Sequence, residues 1–151
     1  MGGRILTDKK VKLDARAYAR RREHQITRFL RNEGIPAFHT DVFDIITYIF
    51  GKWYGIELKE NHGRGEKWNL TVYTKTWKNQ MELSEKTGMK RAVIDISKPA
   101  GNWVIETTES IDQRVRKSKG QLTKITIRNM KRIRLEKWLH MMGVTNEIPD
   151  Y

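Results

Sequence analysis

Apolar residues dominate positions 43–59, FDIITYIFGKWYGIELK, where two short apolar segments are interrupted by a turn signal. This pattern predicts a β-hairpin with its turn at Gly51-Lys52. Successive side chains of a strand point to opposite faces, so Ile56 and Leu58 are predicted to share one face of the second strand. That face is expected to be buried, and the hairpin is the predicted centre of the fold.

Charged residues occupy three positions in the two predicted strands of this hairpin, outside the turn. Glu57 and Lys59 lie on the face opposite to the apolar one, and Asp44 begins the first strand. An unpaired buried carboxylate is costly, so either a divalent metal ion or a structural ion-pair cluster is needed to balance these charges. Asp41 competes with Asp44 for the acidic role, but two isoleucines follow Asp44 directly, whereas Asp41 fits a turn.

A helical pattern precedes the hairpin. Asp14 is the predicted N-cap of a helix that runs to about Glu33. Ile26 and Leu30 belong to its apolar face, and Glu23 lies three and seven residues before them. Helical periodicity therefore predicts Glu23 on or beside the buried face, near the hairpin. An ion pair within the helix is the competing interpretation for Glu23.

The rest of the chain predicts further strands and helices within one domain. The expected elements are a charged loop over 60–69, a short strand or extended segment over 70–74, a helix over 76–87, strands over 91–97 and 103–106, a strand or helix start over 122–127, and a helix over 129–142. Residues 1–151 are predicted to form a single α/β domain, with a core over about 14–106 and a basic and helical C-terminal extension over about 107–151.

The charge balance indicates a polyanionic partner. The chain of 151 residues has a formal net charge of +12, and charged residues make up 32% of it. Such an excess of Lys and Arg favours nucleic acid as the partner, with an affinity that falls steeply as salt increases. Nothing in the sequence resembles a recognition helix or a zinc finger, so binding is expected to depend on DNA structure rather than on base sequence.

Twelve basic residues are candidates for contacts with DNA phosphates. They are Arg4, Lys9, Lys10, Arg20, Arg21, Arg22, Arg64, Lys67, Arg114, Arg116, Lys117 and Lys119. Residues 1–12 lack periodicity, and they fit either an arm along the phosphate backbone or a frayed terminus.

The composition also excludes several classes of protein. The absence of cysteine removes disulfides and thiolate zinc sites, and the four histidines show no paired ligand spacing. No apolar run is long enough to span a bilayer, and the basic start does not fit a signal peptide. A cytoplasmic protein with no membrane partner is therefore expected.

The order of the elements resembles the PD-(D/E)XK nuclease family, and within it most closely the archaeal Holliday-junction resolvases and related small phage or viral nucleases. The residues that carry the resemblance are Glu23 in REHQITRFLRNEG, Asp44 in FDII, and Glu57 with Lys59 in IELK. A helix and two strands then follow, as in that group. The resemblance covers about residues 15–106. Phe43 stands where the proline of the family name would be.

The resemblance implies a restriction-endonuclease-like fold, with a central mixed sheet flanked by helices, and a catalytic set of four residues: Glu23, Asp44, Glu57 and Lys59. Asp44, Glu57 and the backbone carbonyl of Leu58 would bind Mg²⁺, which Mn²⁺ would replace, because hard cations prefer oxygen ligands. Glu23 would bind the metal through water or orient it. Lys59 would lie beside the attacking water or the developing charge.

The implied function is a metal-dependent endonuclease that hydrolyses phosphodiester bonds in branched DNA, with a role in DNA recombination or repair. Nickase, exonuclease and restriction-type activities remain open, and the alternative is a non-catalytic nucleic-acid-binding protein. Symmetric cleavage requires a homodimer. The C-terminal helix, with Met130, Ile133, Trp138 and Met141, either supplies the dimer contact or caps its own core. Gln80 either contacts the metal site or is a buried structural amide.

Overall fold

The computed structural model describes the backbone of residues 3–60, 69–107, 115–117, 124–128 and 133–149, and side chains within 17–60, 75–107 and 133–149. The elements in chain order are α1 (Gly3–Asn32), β1 (Ala37–Phe38), β2 (Ile45–Ile49), β3 (Lys52–Lys59), β4 (Asn69–Tyr73), α2 (Thr74–Thr87), β5 (Lys90–Asp95), a 3-10 turn (Ala100–Asn102), β6 (Val104–Thr107), β7 (Val115–Lys117), β8 (Lys124–Arg128), β9 (Ile133–Arg134) and α3 (Leu135–Met141).

The central sheet has six strands in the order β1-β2-β3-β5-β6-β9. Strands β3 and β5 are parallel, and the other neighbouring pairs are antiparallel. A parallel pair needs a long crossover, which here contains β4 and α2. A second, antiparallel sheet has the order β4-β8-β7, so the segment at 122–127 contributes a strand rather than a helix start. The prediction of an α/β fold with a mixed sheet is confirmed.

One face of the central sheet forms the main core with α1 and α3. The cluster of buried residues includes Ile26, Phe29, Leu30, Ile45, Ile56, Leu58, Ile94, Trp103, Leu135, Trp138 and Leu139. The rings of Tyr54 and Trp138 meet edge to face, with centroids 5.2 Å apart. The C-terminal helix therefore caps its own core, as one of the two interpretations predicted.

The opposite face of β3 carries Gly55, Glu57 and Lys59. The buried ring of Phe43 lies directly over Gly55, and a Cβ atom at position 55 would come within 2.5 Å of that ring. Since such a contact is too short for any side chain, only glycine lets Phe43 pack against the strand. This packing draws the segment before β2 onto β3 and positions the neighbouring Asp44.

The predicted start of the first helix and the predicted hairpin turn were wrong. Helix α1 begins at Gly3 and continues through Asp14, so Asp14 is not an N-cap; the Lys, Arg and Leu residues of this stretch are good helix formers. The hairpin turn is centred on Phe50 and Gly51, with φ angles of 51° and 78°. Ile49 pairs with Lys52, and a two-residue turn with positive φ matches the twist of the strands.

The start of the predicted C-terminal helix was also wrong. Ile133 and Arg134 form β9 because they pair with Ile105 and Val104 of β6, and α3 begins only at Leu135. Met130 lies outside the described residues. Among the helices that the structure describes, none combines the length and the apolar character needed to cross a membrane.

Candidate active site

Strand β3 brings Glu57 and Lys59 together. Their side chains leave the same face, because they are two residues apart on a regular strand. Lys59 Nζ lies 3.3 Å from Glu57 Oε1, and the two side chains are 27% and 12% exposed, respectively. The pair is therefore largely withdrawn from solvent but still reachable from one side, as a reacting site must be.

Asp44 joins this pair through the backbone of β3. Its Oδ2 atom accepts a hydrogen bond from the N–H of Leu58 at 2.7 Å. The Lys59 carbonyl accepts a bond from the N–H of Ile96, on the β5 side of the strand. Backbone groups of consecutive residues point to opposite sides, so the Leu58 carbonyl points toward Asp44. Asp41 is exposed and takes no part in this arrangement.

Gln80 of α2 holds the other side of Glu57. Its Nε2 atom donates to Glu57 Oε2 at 2.9 Å and to the carbonyl oxygen of Val42 at 3.1 Å. The side chain is buried, with 2% exposed, so Gln80 is a structural amide that also contacts the site. One amide group thereby connects α2, β3 and the segment before Asp44.

The electrostatics of the site are dominated by buried negative charge. Burial, and next the charge of Asp44, raise the pKa of Glu57 from 4.5 to about 7, while Lys59 and Gln80 oppose the shift. Burial also raises the pKa of Asp44; the Leu58 N–H and Lys59 lower it, and Glu23 raises it further. The two carboxyl groups therefore titrate as a coupled pair, and one ammonium does not fully balance them.

Glu23 lies near this pair without joining it directly. Its charge contributes to the raised pKa of Asp44, but its Oε1 atom contacts His39 Nδ1 at 3.6 Å. The rings of His39 and His24 are 4.7 Å apart at their centroids. Glu23 thus contacts the β1–β2 connection instead of forming the ion pair within the helix that was the competing interpretation. No spacing in the sequence indicated this contact.

Within the side chains that the structure describes, no three His, Asp or Glu residues form a metal-binding group.

The donor atoms at this site nevertheless fit a hard divalent cation. Asp44 and Glu57 offer carboxylate oxygens, and the Leu58 carbonyl points to the same side of β3. The mutual repulsion of the two carboxylates is the charge that Mg²⁺ would neutralise, and oxygen is its preferred ligand atom. Glu23 lies near enough for its charge to raise the pKa of Asp44.

The predicted DNA-binding residues fall into three groups. Arg20 and Arg21 are exposed on α1, whereas Arg22 packs its guanidinium over the Tyr18 ring at 4.8 Å and donates to Gln25 Oε1 at 2.5 Å. Only the backbone is described for five of them, in α1 and β7: Arg4, Lys9, Lys10, Arg116 and Lys117. The remaining candidates lie outside the described residues: Arg64, Lys67, Arg114 and Lys119.

A basic concavity on α1 adds a residue that the sequence interpretation missed. A cavity of about 400 Å³ is lined by Arg21, Arg22, His24, Gln25 and Arg28. Arg28 lies seven residues after Arg21, and helical periodicity could have assigned both to one face. Two exposed guanidinium groups on one face of α1 form a surface suited to phosphate contacts.

Comparison with known proteins agrees with this architecture. The six-stranded mixed sheet and its flanking helices define an α/β fold of the kind found in a small archaeal nuclease. The chain is similar to the solved structure of Hjc, a Holliday junction resolvase from the archaeal hyperthermophile Archaeoglobus fulgidus, with a TM-score of 0.57 and 15% identity over 83% of this chain and 96% of that one. At this identity the likeness shows the fold. The chain matches no protein-family model and no curated protein.

Gln80→Ala is expected to lower the free energy of unfolding by about 1–3 kcal/mol, because Glu57 and Val42 lose a buried hydrogen-bond donor. It should also raise the pKa of Glu57 further, since that hydrogen bond lowers it. Urea denaturation measures the first effect. Asn79→Ala, at an exposed position on the same helix, is the matched control. Equal stability of the two variants would contradict the role given to Gln80.

Proposed function

We propose that this protein is a metal-dependent DNA nuclease that hydrolyses phosphodiester bonds at the site of Asp44, Glu57 and Lys59. The observation that carries the proposal is the pair of partly buried carboxylates held against one lysine, each fixed by a hydrogen bond from the fold. A structural ion-pair cluster would not need two carboxylates with raised pKa values in one place. The fold shared with an archaeal Holliday junction resolvase supports the same conclusion.

Each residue has a separate task in this proposal. Asp44, Glu57 and the Leu58 carbonyl hold the cation, and Gln80 keeps Glu57 oriented toward it. When bound, Mg²⁺ supplies Lewis-acid activation of the phosphodiester and of a water nucleophile. Lys59 donates from Nζ to the phosphoryl oxygens, whose negative charge grows as water attacks phosphorus and the bond to the leaving oxygen breaks. Glu23, held by His39, orients a water molecule beside the site.

Branched DNA is the substrate that we propose, and a homodimer is the form that we propose acts on it. The net charge of +12 provides the attraction to phosphates, and Arg21 and Arg28 offer guanidinium groups on the exposed face of α1. The protein of similar fold is a Holliday junction resolvase. Two-fold symmetric branches are matched by a two-fold pair of active sites.

Cleavage of a panel of labelled DNA substrates tests this proposal. The panel contains a four-way junction, a flap, a linear duplex and a single strand, each incubated with Mg²⁺, with Mn²⁺ or with EDTA. We expect cleavage only with a divalent metal, and fastest on the junction. DNA binding without cleavage of any substrate would instead identify a non-catalytic binding protein, and cleavage in EDTA would refute the role of the metal.

A further inference from the structure

Three aromatic side chains form an exposed row across β1, β2 and β3. Phe38, Tyr48 and Trp53 are 49%, 41% and 43% exposed, respectively. The centroid of the Trp53 ring lies 5.0 Å from that of Tyr48 and 6.5 Å from that of Phe38, with interplanar angles of 53° and 32°. Contiguous exposed aromatic surface of this kind marks a binding site more often than isolated apolar residues do.

The aromatic row lies on the same sheet face as the candidate active site. Trp53 and Glu57 are four residues apart on β3, so their side chains leave the same face about 13 Å apart along the strand. Tyr48 pairs with Trp53, and Phe38 pairs with Ile46 of the same face. At the spacing of stacked nucleotides, roughly 3.4 Å, about four nucleotides would cover this distance.

A groove accompanies the row, and none of the described side chains that line it is charged. Its volume is about 530 Å³, and its lining consists of Phe38, Thr40, Ile46, Trp53, Thr87 and Met89. Lys52 and Lys90, which adjoin Trp53 and Met89 in the sequence, are exposed, but strand alternation directs them to the opposite face of the sheet. An apolar aromatic floor is the kind of surface on which bases stack, while other basic residues of the chain would contact the backbone.

The adjacent hairpin turn presents a fourth aromatic ring in an unfavourable backbone conformation. Phe50 has a φ of 51° and is 71% exposed, although two-residue turns of this kind favour asparagine, aspartate or glycine there. A bulky residue in the left-handed region of backbone conformation is strained, and an exposed ring contributes little packing energy to the stability of the fold. The position of Phe50 therefore favours a role in binding over a role in stability.

We propose that Phe38, Tyr48 and Trp53 form a stacking surface for unpaired nucleobases of the DNA strand whose phosphodiester lies at Glu57. This inference rests on the proposed function, and it specifies the substrate as branched DNA that has unpaired nucleotides near the cleaved bond, as in a junction opened at its branch point. A second copy of the chain suits the surface less well, because it carries the same net charge of +12 and would be repelled. Nucleic acid is attracted by that charge, and the row lies on the sheet face of Glu57, where the proposed function places DNA.

Binding measurements with two variants of Trp53 test the inference. Trp53→Leu keeps an apolar side chain but removes the ring, and Trp53→Phe keeps a ring as the matched control. Affinities for a labelled thymidine oligonucleotide and for a duplex of equal length are measured in EDTA at one salt concentration, and thermal unfolding verifies the fold. We expect Trp53→Leu to bind the single strand roughly fivefold to a hundredfold more weakly, a larger loss than for duplex, and Trp53→Phe to retain most of the affinity.

Photocrosslinking of the wild-type protein to an oligonucleotide with 5-iodouracil gives an independent readout. Crosslinked peptides that contain Phe38, Tyr48 or Trp53 would support the stacking surface. An unchanged single-strand affinity of Trp53→Leu, or an equal loss on both DNA forms, would overturn it. Loss of self-association in sedimentation, with single-strand binding intact, would also overturn it and assign the surface to an interface between copies.

The same experiments separate this inference from the proposed function. If the wild-type protein cleaves DNA and Trp53→Leu leaves the preference for single strands unchanged, the nuclease proposal stands and the stacking surface is refuted. If the wild-type protein cleaves nothing but Trp53→Leu selectively loses single-strand affinity, the nuclease proposal fails and the stacking surface stands.

Discussion

Glu57→Gln is expected to lower metal-dependent DNA cleavage at least about a thousandfold. The substitution keeps the volume of the side chain and can still accept the hydrogen bond from Gln80, but it removes a charged ligand oxygen. Metal-ion catalysis is worth several kcal/mol of transition-state stabilisation, and each 1.36 kcal/mol is a factor of ten in rate. Single-turnover cleavage of the preferred substrate in Mg²⁺ measures the loss.

The control for this experiment is Glu82→Gln, which removes the same charge from an exposed position on α2. It should retain cleavage close to that of the wild-type protein. Asp44→Asn should behave like Glu57→Gln, since both carboxylates are proposed to hold the cation. Both inactive variants should still bind DNA, because the phosphate contacts come from other residues. Retention of full activity by Glu57→Gln and Asp44→Asn would refute the proposed site.

The metal-free wild-type protein is expected to lose about 3 kcal/mol of stability as the pH rises from below 4.5 to above 7. The pKa of Glu57 is raised from 4.5 to about 7 in the folded state, so that state holds a proton that the unfolded chain has released. The unfolding free energy therefore falls through this pH range, and the loss is complete above the folded-state pKa. Asp44, whose pKa is also raised, acts in the same direction.

Urea denaturation of the wild-type protein and of Glu57→Gln, in EDTA at several pH values, measures this effect. The difference between the two proteins isolates the contribution of Glu57, because the histidines and the other carboxyl groups titrate in both. The variant should gain stability relative to the wild type as the pH rises, and Mg²⁺ should stabilise only the wild type appreciably. A difference that stays constant with pH would show that Glu57 is not held in a buried, repulsive environment.

Under the proposed function, the protein loses stability at this site because two carboxylates are placed together where the cation would bind. Two carboxylates at the rim of the sheet destabilise the empty protein at neutral pH, and the fold compensates only in part through Lys59, Gln80 and the Leu58 N–H. Replacement by neutral residues should therefore increase stability while it removes function. Substitutions that increase stability and remove activity are common at functional sites, because residues there are selected for activity rather than for stability.

Local sequence pattern was sufficient for the two strands of the hairpin, though not for the position of its turn, and for placing Glu57 and Lys59 on one face. The alternation over β3 identified the buried Ile56 and Leu58, and it placed the two charged residues on the other face. The same periodicity did not identify the ends of α1 or α3. Good helix formers extended α1 beyond Asp14, while pairing with β6 turned Ile133 and Arg134 into a strand.

Contacts between distant segments supplied the rest of the site. Gln80 reaches Glu57 because α2 crosses the sheet on the way from β3 to β5, and Glu23 meets His39 because β1 lies beside α1. These partners are 23 and 16 residues apart in the chain, with different elements between them. No periodicity relates such positions, so only the packed structure reveals them.

The chain alone thus decided which side chains share a face, since the direction of a side chain along a strand repeats every two residues and depends only on local backbone geometry. The alternating stretch before Lys59 and the excess of basic residues could both be recognised from the sequence. The packed fold decided which carboxylates lie close enough to raise each other's pKa and which aromatic rings remain exposed together. Those properties depend on burial and on the register between strands, which arise only when distant segments meet.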